Sequence, residues 1–256
     1  MGTLISTLSG WGRVTRVESE CVRPETRADV LASLTNQRGR TFVGRGLGKA
    51  YGDAALNSGG LTVVTDRLDR VLAFDKESGW LHCEGGVKIA DIIRIFLPRG
   101  FFPPVVPGTQ FVTVAGALAS DIHGKNHHVS GSFSNHVRDV HLLTGAGEIT
   151  IVDSSHHSEL FRATAGGMGL TGIILSLSLR LIRVASSAIN VETIRVSSLD
   201  EYLDLREENA SNQYTVGWID TMKQGRSLGR GILFRGDHAP SGVSYHPTSV
   251  NRLPRR

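Results

Sequence analysis

Val106–His128, VPGTQFVTVAGALASDIHGKNHH, moves from a Pro-Gly-Thr turn through a run of small residues to a dense polar cluster. The small residues are Ala115, Gly116, Ala117, Ala119 and Ser120, and small side chains let a backbone approach a flat ligand closely. Asp121, His123, Lys125, Asn126, His127 and His128 follow, placed to reach that ligand's edge. The order suits an aromatic ligand lying across the backbone, with a short helix over 113–120.

Working upstream, FFPPVVPGT from Phe101 is an apolar, Pro-rich crossing between two subdomains. Before it, Ile89, Ile92, Ile93, Phe96 and Leu97 recur at helical spacing, and Pro98 and Gly100 end the stripe. LTVVTD, VLAFD and LHCEGG read as strands, and Thr41–Val43 as a short strand running into Gly44–Asp53, GRGLGKAYGD. Residues 24–36 predict an early helix, with Pro24 and Glu25 at its start. Together these make a βα unit with extra strands.

Downstream, Val137–Thr144 and Glu148–Val152 flank Gly145-Ala146-Gly147, a hairpin signature. Ser158–Ala165 predicts a short helix, GGMGLTG a turn, and GIILSLSLRLI an alternating strand. Beyond Ala185, VETIRV, YTVGWIDTM and GILFRG read as strands. Ser198 and Glu201 form a capping box for the helix LDEYLDLREENA. From Asp237 periodicity is lost, and an irregular tail is expected.

At 40% hydrophobic and 20% charged, 256 residues suit a globular protein of one large domain or two modest ones. The net charge is +4, part of it in the terminal RLPRR. Lacking a basic run interleaved with aromatics, the chain gives no reason to expect nucleic acid, and an anionic ligand fits better. The start, MGTLISTLSGWGRV, reads without an export leader and no stretch is apolar enough to span a bilayer, so a soluble, cytoplasmic protein with at most peripheral membrane contact is expected. Cys21 and Cys83 show no metal or redox spacing.

Gly167, Gly169 and Gly172 match GxGxxG, but the motif follows a helix and enters a strand, the reverse of a dinucleotide fingerprint. The loop Gly44–Asp53 does follow a strand. It is no nucleoside-triphosphate cradle, because Ala50 stands where Ser or Thr would bind magnesium, yet its glycines can turn successive amides toward a pyrophosphate, with Arg45 and Lys49 adding charge. The histidines at 123, 127 and 128 lack zinc-site spacing, so no metal is expected. Gly131-Ser132-Phe133 lacks the flanking pattern of the usual hydrolase elbow.

Taken together, GRGLGKAYGD, PGTQFVTVAGALASDIHGKNHH with SGSFSNHVRDVHLLTGAGEI, and ELFRATAGGMGLTGII resemble the vanillyl-alcohol-oxidase-type (PCMH-type) FAD-binding oxidoreductases. Within that family the likeness is greatest to members that oxidise a sugar carried on a lipid phosphate. It runs from about Gly10 to about Arg183, and more weakly to about Arg235. The resemblance implies an α+β fold with an FAD-binding domain over 10–184, in subdomains of about 10–100 and 101–184. A partial substrate domain over 185–236 and an irregular tail over 237–256 would follow.

The pyrophosphate would lie on Gly44, Arg45, Gly46, Leu47, Gly48, Lys49, Ala50, Tyr51, Gly52 and Asp53. The flavin would be lined by Gly108, Thr109, Thr113, Val114, Ala115, Gly116, Ser120, Asp121, Ile122, His123 and Gly124, with Ile174 packing from the next strand. His123, Lys125 and Asn126 would stand near the reactive edge as catalytic candidates; the other reading of them is a polar loop satisfying its own backbone. Related oxidases attach the flavin through a His near the position of Lys49, so the resemblance implies noncovalent FAD here. Ala115 and Met168 depart from the family's usual Gly and polar residue. The implied chemistry is oxidation of a sugar CH-OH to a keto sugar, which a separate NADH-dependent reductase would return to the epimeric alcohol. Relatives are longer, so a fragment or non-catalytic FAD binder is one alternative and an aldonolactone or alditol oxidase another.

Overall fold

The computed structural model describes residues 2–35, 40–208 and 211–242. β1 (Leu4–Ser9) and β2 (Arg16–Val22) form an antiparallel hairpin that the sequence reading did not anticipate. α1 (Arg27–Thr35) begins where Thr26 and Asp29 cap each other. Asp29 N donates to Thr26 Oγ1 at 3.1 Å and Thr26 N to Asp29 Oδ2 at 2.9 Å, satisfying amides that a first turn leaves open. β3 (Phe42–Arg45) and β4 (Leu61–Val64) run parallel, as do β4 and β2, giving the sheet order β1-β2-β4-β3.

β5 (Val71–Phe74) and β6 (Trp80–Glu84) leave that sheet. β6 pairs with β10 (Ile173–Arg180), and the second sheet, β5-β6-β10-β8-β9, is antiparallel throughout, with β8 (Val137–Leu143) and β9 (Ile149–Val152) joined by the expected hairpin. A division of the chain at residue 100 therefore does not follow sheet membership. The local βα pattern suggested one unit, but strand partners nearly a hundred residues away decide where β5 and β6 belong.

Between β6 and β8 lie α2 (Ile89–Phe96), the short strand β7 (Phe101–Phe102), α3 (Val114–Ala119) and the single turn α4 (His127–Ser130). α2 buries Ile89, Ile92 and Phe96, the stripe read from the sequence, and ends through a 3-10 turn at Pro98 that Gly100 closes at φ +79°. α5 (Ser158–Thr164) precedes β10, and the Gly167–Gly172 turn between them is helix-to-strand, so no dinucleotide fingerprint forms there.

β10 is buried almost throughout, serines included, rather than half-exposed as its alternation suggested. Ile173 and Leu175 join the core beneath the first sheet; Ile174, Leu177 and Leu179 join the larger core between the second sheet, α2 and α3. Register shifts around Ser176 change which residues face which core. One strand thus fixes the two halves against each other.

β11 (Ile182–Arg183) pairs with β7 and leads to a third sheet, β12-β14-β13, made from β12 (Ile189–Val196), β13 (Tyr214–Ile219) and β14 (Gly231–His238). α6 (Leu199–Glu208) lies between β12 and β13 in the chain. Its capping box differs from the expected one. Ser198 Oγ accepts from Glu201 N at 3.2 Å, but the Glu201 carboxylate reaches one residue further, to Ser197 N at 2.8 Å. β14 continues to His238, so the expected tail does not begin at Asp237; its residues 243–256 lie outside those described.

Candidate functional site

Two segments more than sixty residues apart meet at Gly46 and Thr113. A Cβ on Gly46 would overlap the Thr113 hydroxyl oxygen, so only glycine permits this approach. Thr113 is 1% exposed and caps α3, its Oγ1 accepting from Gly116 N at 3.2 Å. The loop leaving β3 is thereby seated on the first turn of α3.

Leu47, Gly48 and Lys49 continue that loop, Gly48 at φ +63°. Among the described residues the amides of Gly46, Leu47, Gly48 and Lys49 donate to no acceptor within the chain. Four successive open amides are what an anionic ligand oxygen needs. Arg45, expected to add charge from its side chain, also braces the loop. Its guanidinium donates to Ala55 O at 3.0 Å and Ser9 O at 2.7 Å. Burial lowers its pKa, but both partners are carbonyl oxygens, so the positive charge stays unneutralised beneath the loop.

The turn of the β1–β2 hairpin lies against this loop. Trp11 N donates to Ala50 O at 2.8 Å and Gly12 N to Tyr51 O at 3.3 Å, and a Cβ on Gly10 would sit 2.9 Å from Ala50 O. The Lys49 ammonium stands 4.5 Å from the Trp11 ring centroid, a cation over a π face. Sequence reasoning missed this contribution; the glycines flanking Trp11 were its available signal. Tyr51, Gly52 and Asp53 are exposed beyond it.

In the second segment, Val114 N and Ala115 N donate to Val87 O at 2.8 Å and Gly85 O at 3.0 Å. The first amides of α3 are therefore spent inside the fold, and the helix presents its small side chains instead. Gly85 and Gly86 are further close-approach sites: a Cβ at Gly86 would overlap the Thr65 carbonyl, and one at Gly85 would lie 3.0 Å from the Ala115 Cβ. Gly108 is exposed and unrestricted, and Thr109 Oγ1 accepts from Phe111 N at 3.2 Å. Ile174 is 4% exposed within the larger core, so its side chain packs on the fold rather than outward.

After α3 the chain bends at Asp121, φ +37°. Asp121 is spent on structure: its carboxylate accepts from Ser134 N at 2.9 Å and Ser132 Oγ at 2.8 Å, pinning the turn before β8. Ser120 is exposed, its hydroxyl 3.8 Å from Met168 Sδ, and Met168 N donates to Ala119 O at 2.8 Å, which docks the 166–172 turn on α3. Ile122 packs partly on the core, and buried Gly124 could not carry a Cβ, which would stand 2.7 Å from Asn126 Oδ1 and 3.0 Å from Val106 O.

The three catalytic candidates divide. His123 and Lys125 are exposed. Asn126 is 1% exposed and acts as a clamp, its Nδ2 donating to Pro104 O at 2.7 Å and Ser130 Oγ at 2.9 Å. Its carbonyl oxygen Oδ1 is buried and has no hydrogen-bond partner among the described residues. His128 likewise ties the loop down through Nε2 to Asn212 O at 2.9 Å. Among the described residues no group of three or more His, Cys, Asp or Glu could hold a metal ion.

A cavity of about 340 Å³ opens beside this loop, between the 102–107 connection and the third sheet. Phe102, Pro104, Pro107, Val191, Val216 and Phe234 make its walls apolar, while Lys125, Tyr214 and Arg235 supply polar groups. Thr215 N donates to Lys125 O at 2.8 Å, which joins the loop to β13. Arg235 is engaged by Glu192 at 2.7 Å. Tyr214 was not among the expected site residues, because the pairing that brings β13 to the loop leaves no local pattern.

A family model described as an FAD binding domain matches residues 19–153, more than half of the chain. The chain is 36% identical over 256 residues to decaprenylphosphoryl-beta-D-ribose oxidase of Mycolicibacterium smegmatis, covering 96% of this chain and 56% of that protein. It is 25% identical over 237 residues to D-arabinono-1,4-lactone oxidase of Eremothecium gossypii, covering 90% and 43%, and 24% identical over 186 residues to L-gulonolactone oxidase of Scyliorhinus torazame, covering 71% and 41%. The chain spans about half the length of these relatives. The open amides at Gly46–Lys49 and the seat of that loop on Thr113 fit such a cofactor.

Proposed function

The chain belongs to the FAD-binding oxidoreductases of the PCMH type, and from that premise we propose that it carries FAD noncovalently and takes part in oxidising a CH-OH group of a sugar borne on a lipid phosphate. The observation that carries this reading is the apolar cavity with Lys125 among its lining, reached by the loop that follows the Thr113–Ser120 segment. Bound FAD supplies the hydride acceptor. The chain's own residues do the holding. The Gly46–Lys49 amides face the pyrophosphate, with the braced charge of Arg45 beneath them and the Lys49 ammonium alongside. Small residues of α3 admit the ring system, Lys125 attracts the substrate phosphate, and the proline-rich wall takes up the polyprenyl tail and excludes water.

An apolar wall favours a lipid-linked sugar over a free aldonolactone, which has only polar groups to offer it. The keto sugar formed would pass to an NADH-dependent reductase, and the lipid tail would make membrane contact peripheral. The test is anaerobic addition of decaprenylphosphoryl-β-D-ribose, or of D-arabinono-1,4-lactone, to the FAD-loaded chain. Bleaching of the flavin band by the first compound is expected. Bleaching by the lactone alone would move the assignment to the lactone oxidases, and a yellow colour unchanged by either would leave an FAD binder without this activity. Acid precipitation should release FAD to the supernatant; flavin retained in the pellet would contradict noncovalent binding.

A further inference from the structure

Tyr214 of the cavity lining is hydrogen-bonded to His238 behind it, a pair that the reading above does not use. Tyr214 Oη lies 3.1 Å from His238 Nε2, and His238 Nδ1 lies 3.1 Å from Ser186 O. The His238 ring also stands edge-on to Phe102, centroids 5.6 Å apart. Four parts of the chain meet there: β7, the connection after β11, β13 and β14.

Directionality follows from the acceptors. A carbonyl oxygen only accepts, so His238 Nδ1 must carry a proton to bond Ser186 O. In the neutral ring Nε2 is then a lone pair, and the Tyr214 hydroxyl must be the donor. Its proton is committed to His238, which leaves the phenol oxygen as an acceptor. Burial, with a smaller contribution from Asp237, pushes the Tyr214 phenol up to about 12, so the group stays un-ionised at neutral pH.

We propose that Tyr214 and His238 are a positioning pair for a substrate hydroxyl, Tyr214 accepting its hydrogen bond from the cavity wall while neutral His238 keeps that polarity. This rests on the sugar-oxidation reading. Thr215 N bonds to Lys125 O, so Tyr214 adjoins the loop that carries the exposed His123 and Lys125. The ionisable groups near the imidazole are few. Tyr214 is its partner; the Asp237 carboxylate is taken by Asn212 Nδ2 and Gln213 N, both at 2.7 Å; Arg235 is held by Glu192, and Lys125 lines the same cavity.

The test uses FAD-loaded protein and decaprenylphosphoryl-β-D-ribose, with flavin reduction followed against substrate concentration at neutral pH. Losing one neutral hydrogen bond in Tyr214→Phe should raise KM about five- to tenfold, while the limiting rate stays within about twofold because the bond acts equally before and during reaction. His238→Gln, which keeps an acceptor for the Tyr214 hydroxyl, should hold near wild-type KM.

An unchanged KM in Tyr214→Phe, or a KM in His238→Gln raised as far as in Tyr214→Phe, would overturn the proposal. Nitrogen NMR of the substrate-free holoprotein gives a second readout: the neutral His238 tautomer should carry its proton on Nδ1, and a proton on Nε2 would overturn the pair directly. Wild-type protein that never bleaches would remove the sugar-oxidation reading, while the tautomer would still decide the polarity of the pair.

Discussion

Replacing Gly46 by alanine tests the seat of the first loop on the second segment. Gly46 is not at positive φ, so alanine is compatible with its backbone and the cost comes from contact alone. The new Cβ would overlap Thr113 Oγ1 and lie 3.1 Å from Thr113 Cγ2. Thr113 cannot swing away, because it is buried and caps α3 through Gly116 N. Overpacking of this kind costs about 1–3 kcal/mol, which corresponds to a Kd for FAD weaker by about 5- to 150-fold if the loop yields and the core does not.

Thr113→Ala alone should cost about 0.5–2 kcal/mol through loss of the cap. In the double variant only the position-113 Cβ remains close, at 3.3 Å. Its FAD affinity should therefore exceed the additive expectation by about 1 kcal/mol or more. Fluorescence titration of the four proteins with FAD measures both quantities. Wild-type affinity in Gly46→Ala, or strict additivity in the double variant, would refute the contact as the reason for glycine at this position.

Asp121→Ala should lower stability by about 1–3 kcal/mol in urea titrations, because Ser134 N and Ser132 Oγ lose their shared acceptor; an unchanged midpoint would show that the bend stands without it. The Asp153 carboxyl is pushed up by burial, but hydrogen bonds from Ser155 and His156 outweigh this and hold it well below the usual carboxylate range. A depressed folded pKa contributes stability that is present above the unfolded value, about 4, and lost as pH falls through the folded one. The stability gap between wild type and Asp153→Asn should thus close on acidification; a gap that widened instead would reverse the sign of the argument. Cys83 is fully buried and its thiol is pushed up to about 12, chiefly by burial, while Cys21 is partly accessible. A thiol reagent should label Cys21 alone in native protein and both after unfolding, and native labelling of Cys83 would contradict its burial.

Much of the secondary structure was legible because its signals are local. The stripe from Ile89 to Phe96, the small-residue helix at 114–119 and the 145–147 hairpin each depend on neighbours in sequence. What stayed hidden depends on distance along the chain. The sheet to which Trp80–Glu84 belongs is set by Ser176–Arg180. The bonds of the Arg45 guanidinium to Ser9 O and Ala55 O, and of Asn126 Nδ2 to Pro104 O and Ser130 Oγ, leave no mark in the local sequence. Polar side chains near a ligand-shaped stretch look alike in sequence whether they face the ligand or brace the loop. Tyr214 and His238 carried no motif at all, since the pairing of β13 with β14 alone brings them together.

The central claim is that one cofactor bridges two glycine-bearing segments, and amide NMR of the apoprotein titrated with FAD tests it most directly. The account predicts saturation at a single equivalent, with the largest shifts at Gly46–Lys49 and Thr113–Gly116. Absence of saturable binding, or shifts confined to other parts of the chain, would contradict it.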